Sequence, residues 1–285
     1  GRLLDFATQL APARRTLVAI AGDHGEALGE HGELTHGLLL YQPTLHVPLL
    51  LHAPDALAAG TRVREPVSLA DLAPTLAGLL ELPLGLKTDG RDLSAALRRD
   101  QEPPRGDLYA ETEYPATFGW SGIAALRRGS WKYLAAPRPE LYDLSVDPRE
   151  AKNVLSTERR IQADLAASIA PLRALAAALP SMAADAETRA QLAALGYATA
   201  RARPAGQARE NPRDPKDAVP LFRAFEEGHW ALLAGRFPEA LLTLRGLVAE
   251  DPGNPVFHDE YAGALRKSGD LAGAVNEYRR AAEAA

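Results

Sequence analysis

At 285 residues the chain exceeds one ordinary domain, so two domains and a seam between them are expected. Apolar residues at 46% and charged residues at 24% exclude wholesale disorder, and a formal net charge of -5 gives no broad basic field for nucleic acid or an acidic membrane. No apolar run reaches the ~18 residues of a membrane span, and the lack of cysteine excludes a disulfide frame or thiolate metal site while leaving the redox compartment open.

The chain opens at Gly1 with Leu3, Leu4, Phe6 and Leu10 at helical spacing, so an upstream segment is expected, and with it a location left open. Thr16 to Ala21, TLVAIA, is a continuous apolar run that predicts a buried parallel strand with a loop at its C-terminal end. Ligands sit at that edge of open α/β sheets, which singles out Asp23 and His24. Val47 to Leu51 predicts a second strand with Pro48 near its start. Ser68 and Asp71 form an S-x-x-D capping pattern before Leu69, Leu72, Leu76, Leu79 and Leu80, which recur on one helical face.

From Leu108 the text breaks into short strands: LYAETEY, IAALRR, a Gly129-Ser130 turn, WKYLAA, and LYDL before Asp147-Pro148. An antiparallel unit thus follows an α/β unit. Helical periodicity resumes beyond Ser156, with a short helix expected over Asp185 to Gly196. Ala200 to Lys216, with Pro204, Pro212, Pro215, Gly206 and four arginines, is the expected seam; a solvated linker is favoured over a basic docking strip.

Beyond the seam, Gly235 and Gly269, Ala240 and Ala274, Leu244 and Tyr278, and Leu247 and Ala281 recur at a spacing of 34. Small residues at Gly228 and Ala262 and a closing Pro252 complete a resemblance to tetratricopeptide (TPR) repeats, with a plain pair of helical hairpins as the alternative. The resemblance implies a protein or peptide partner. Trp230 departs from the repeat pattern, and the array is expected to be truncated at Ala285.

The loop after the first strand reads GDHGEALGEHGELTHG. An aspartate and a histidine side by side at a strand edge can direct an oxygen and a ring nitrogen at one divalent cation, although the dipeptide alone is equally an N-cap with a backbone-bonded histidine. This run is followed by LYQPTLHVPLLLHAP, VSLADLAPTLAGLLELP, DGRDL, ALRRGSWKYL and PELYDLSVDPREAKNV. In that order and spacing the motifs resemble the C-terminal half of the sulfatases of the alkaline phosphatase superfamily, over about Gly1 to Leu155.

The resemblance implies an α/β sandwich with a small antiparallel C-terminal sheet, Asp23 and His24 as metal ligands, and a divalent cation, Ca2+ first and Mn2+ as the alternative. It implies that His36, thirteen positions after Asp23, binds the sulfate and the departing oxygen, on a sulfate-ester substrate. A structural loop role is expected for His31, a packed or hydrogen-bonded one for His46, and sheet-building for Trp131, Lys132, Tyr142 and Asp143. Glu111, Glu113 and Tyr114 line the substrate side or are simply solvated.

The departures are as specific as the matches. The family's nucleophile, a modified cysteine or serine in C/S-x-P-x-R, is absent, and so is any Asp-Asp pair. The division expected is 1–155 for the C-terminal portion of a sulfatase catalytic domain, 156–216 for helices and linker, and 217–285 for TPR-like repeats, with the chain alone inactive. A phosphate or phosphonate ester hydrolase, or a non-catalytic TPR scaffold, is the alternative.

Overall fold

The computed structural model describes residues 16–178 and 212–284. The expected helices at the N-terminus and over Asp185 to Gly196, and most of the seam, lie outside them.

The first strand, β1 (Val18–Ala21), pairs with β2 (Leu49–His52) in antiparallel register, Val18 opposite His52. This corrects the expected buried parallel strand. The 27 residues between them are not a crossover helix but a long loop and the four-residue α1 (Gln42–Leu45), so the chain returns alongside itself. The ladder extends past the strand through Gly22 N–H to the Pro48 carbonyl, 3.1 Å. His46, expected at a strand start as a packed or hydrogen-bonded residue, has an exposed side chain and follows α1 before the strand begins.

Ser68 and Asp71 form a reciprocal capping box, as their spacing predicts, around a 3-10 turn at Leu69–Asp71 that leads into α2 (Leu72–Leu79). Asp71 also bonds Arg91, with Nη2 to Oδ2 at 2.7 Å, which ties α2 to the segment before α3 (Ser94–Arg98).

The second sheet holds β3 (Asp107–Thr112), β4 (Ile123–Arg128), β5 (Trp131–Ala135) and β6 (Glu140–Asp143), antiparallel in chain order, with α4 (Tyr114–Thr117) between the first two. Alternation sorts its faces. Ala124, Leu126, Tyr133 and Leu141 pack against Leu165 and Ile169 of α5 (Arg159–Ala178). Ile123, Ala125, Leu134 and Tyr142 join the opposite core with Leu38, Leu39, Leu40 and Tyr41.

That second core runs on into the C-terminal helices α6 (Pro215–Leu233), α7 (Phe237–Glu250) and α8 (Pro255–Ser268), and α9 (Leu271–Ala284) packs on α8. Phe118 lies 5.2 Å from Phe225 and 5.7 Å from Phe222, ring centre to ring centre. The last residues of the expected linker open a helix: Asp214 caps α6, Pro215 occupies its first turn, and Asp214 also accepts from the Arg138 amide at 2.9 Å. Close packing of α6 on α7 requires Gly228, where an added Cβ would lie 2.8 Å from Leu244 Cδ2.

Candidate active site

The loop over residues 22–37 leaves the C-terminal end of β1 and is held at several points by its own backbone. Gly25 N–H donates to the Thr44 carbonyl (2.9 Å), and a Cβ on Gly25 would sit 2.0 Å from the Pro43 carbonyl oxygen, so only glycine fits this turn. Ala27 N–H donates to the Thr35 carbonyl at 2.8 Å, which places Glu26 across from His36. Beyond it, Thr112 Oγ1 donates to the Gly37 carbonyl at 2.6 Å.

Asp23 presents its carboxylate outward, with 88% of the side chain exposed. The His24 amide donates to its Oδ1 (3.0 Å), and this bond holds the carboxyl below the usual carboxylate range. His24 Nδ1 lies 2.8 Å from the Gly25 carbonyl; a carbonyl only accepts, so Nδ1 is the donor, and in the neutral ring the lone pair is on Nε2. That Nε2 is 3.9 Å from Asp23 Oδ1, the separation of two ligands that share one cation. Asp23 and His24 therefore fit a divalent ion in donor type and placement.

His36 stacks on His24 with ring centres 3.8 Å apart and planes at 26°, and its Nδ1 is 3.2 Å from Glu26 Oε2. The three sequence-predicted residues thus lie together. Two further residues escaped the sequence reading. Glu26 follows the Asp-His-Gly turn, and its only signal is that position; Glu226 of α6 accepts from Thr35 Oγ1 at 3.0 Å across 191 positions, for which no local signal exists. Burial raises the Glu226 carboxyl, and the Thr35 hydroxyl opposes that rise.

Beneath the loop the charges are buried and paired. Lys132 Nζ meets Glu150 Oε1 at 2.5 Å, and Glu150 Oε2 accepts from the Gln42 amide at the start of α1. Glu33 accepts from the Leu38 and Leu39 amides, yet burial pushes its carboxyl up to about 7. His31 stacks on Tyr41, ring centres 3.5 Å apart, and bonds the Arg149 carbonyl, a structural position. Glu111 accepts from Tyr109, Glu113 is exposed although partial desolvation raises its carboxyl, and Tyr114 packs edge-on to Phe222.

Residues 1–82 match the sulfatase family model. The chain is 32% identical over 168 residues to arylsulfatase K of Rattus norvegicus, covering 54% of this chain and 29% of that protein. It is 32% identical over 166 residues to choline-sulfatase of Rhizobium meliloti, covering 56% and 31%. Among solved structures, the phosphonate monoester hydrolase of Agrobacterium radiobacter aligns at a TM-score of 0.51 and 26% identity, over 61% of this chain and 38% of that one. The chain spans less than a third of the length of these curated relatives. Residues 1–82 are thus similar in sequence to the sulfatases, and the chain shares part of its fold with a phosphonate monoester hydrolase.

Proposed function

We propose that this chain is part of a metal-dependent sulfatase that hydrolyses sulfate monoesters, with Asp23 and His24 as cation ligands and His36 as the donor to the sulfate and the leaving oxygen. The observation that carries this reading is the ring of His36 lying on that of His24, whose Nε2 faces the Asp23 carboxylate. A leaving-group donor and the cation ligands thereby address one small volume at a strand edge. Ca2+, or Mn2+, would supply Lewis-acid polarisation of the sulfate oxygens when bound. Asp23 contributes a hard oxygen, His24 a nitrogen oriented by the Gly25 carbonyl, and His36 an N–H at the oxygen where charge develops.

The chain has no cysteine and no C/S-x-P-x-R motif, so the nucleophile is not among its residues, and the purified chain is expected not to turn over an aryl sulfate. In a complete enzyme, Asp23→Ala should abolish cation binding. His36→Ala should lower kcat ~100-fold with metal content retained, and most for poor leaving groups. Equal slopes of kcat against leaving-group pKa for wild type and His36→Ala would overturn the role of His36.

The likeness to a phosphonate monoester hydrolase favours a second reading, in which the same site takes a phosphonate ester. Relative kcat/KM on matched sulfate and phosphonate monoesters decides between them. The helices α6 to α9 are read as two TPR-type units that offer a surface to a protein or peptide, on the support that α7 and α9 begin 34 positions apart with Ala240 and Ala274 both buried. If the hydrolase site proved incapable of holding a cation, a scaffold role for these helices would be what is left.

A further inference from the structure

We propose that His24, Glu26 and His36 form a second cation site, suited to Zn2+ or a similar first-row transition ion, which shares His24 with the Asp23 position. One ligand atom from each residue lies within 4.8 Å of the others. A tetrahedral zinc with bonds of roughly 2.0–2.1 Å holds its ligands about 3.4 Å apart, so the closure required is at most about 1.4 Å. The imidazole rings lie 3.8 Å apart with planes at 26°, and the exposed His24 and Glu26 and the partly exposed His36 have room to adjust around an ion.

The backbone prepares the arrangement. The Ala27 to Thr35 bond sets Glu26 opposite His36, and bonds from Thr35 to Glu226 and from Thr112 to the Gly37 carbonyl pin both neighbours of His36. The His24 Nδ1 contact with the Gly25 carbonyl is the second-sphere bond that orients a ligating histidine, with Nε2 left for the ion. Two imidazoles and one carboxylate with an open fourth position select a borderline-soft ion over Ca2+, which prefers oxygen. An ion held here withdraws His24 from Asp23 and engages His36, so it excludes the hard cation and occupies the donor to the leaving group. The site stands independently of the sulfatase reading.

The test is calorimetric titration of the 285-residue chain with Zn2+ at neutral pH, with Co2+ absorption as a second readout. One ion per chain is expected, with affinity lowered at least ~10-fold by His36→Ala and by Glu26→Gln and left unchanged by Asp23→Ala. Co2+ should give the intense visible bands of four-coordination in the wild type and lose them in His36→Ala. No saturable binding, or Zn2+ binding indifferent to His36→Ala, overturns the proposal. So does a loss in Asp23→Ala equal to that in His36→Ala, which puts the ion at the Asp23 position instead. A Ca2+ titration of Asp23→Ala tests the hard-cation site separately, so either site can fail alone.

Discussion

The two sheets treat their apolar residues differently. In the four-stranded sheet both faces are covered by other elements of the chain, and alternate residues of β4 and β5 enter separate cores. In the two-stranded sheet Ile20 is 43% exposed and Leu50 57% exposed. Strand content by itself therefore does not stabilise; what lies over a strand does. The larger sheet carries the platform under the site, and the smaller one serves to aim a loop.

Removing charges from the platform tests this hardest. Lys132→Ala strands Glu150 as a buried, unpaired carboxylate and is expected to cost about 4 kcal/mol in urea unfolding. An effect below 1 kcal/mol would mean that water reaches the pair. Leu126→Ala, in the centre of β4 and fully buried, should cost about 3 kcal/mol.

Glu33 gives a pH-dependent version. Its folded carboxyl titrates at about 7 against a reference of 4.5, so the folded state binds the proton more tightly and stability falls as pH rises between those values. The fall should be roughly 2 to 3 kcal/mol, and Glu33→Gln should flatten it; an unchanged slope in that variant would assign the titration elsewhere. Thr35→Val removes the hydroxyl that Glu226 accepts from and should cost about 1 kcal/mol, with a change at His36 visible by NMR. Leu50→Ser on the open sheet should stay within about 0.5 kcal/mol; a large loss would show that its face is covered in solution.

What the sequence revealed follows the same division. The four strands from Leu108 onward, the Gly129-Ser130 turn and the Ser68–Asp71 capping box were readable because each is a local pattern with a local cause. The direction of β1 was not, since a continuous apolar run has no polarity and its pairing depended on how the following loop was spent. At the candidate site, Asp23 and His24 were singled out by their place after the first strand, and His36 by the family resemblance. Glu26 as a partner of His36 depends on the loop closing between Ala27 and Thr35, and Glu226 on a helix that the chain reaches much later. Nor does the sequence announce that Lys132 and Glu150 meet, because each taken singly reads as a surface charge.

Asn254 accepts from the Val256 and Phe257 amides at the start of α8 while its Nδ2 donates to the Phe118 carbonyl, beside the stacked rings of Phe118 and Trp120. One side chain thus closes a helix and grips the loop before β4. A recombination event that exchanged the C-terminal helices for unrelated ones would leave Phe118 and Trp120 facing water, and would have to replace them in the same step. Any exchange of the helices would therefore have to be matched by changes at these aromatic rings.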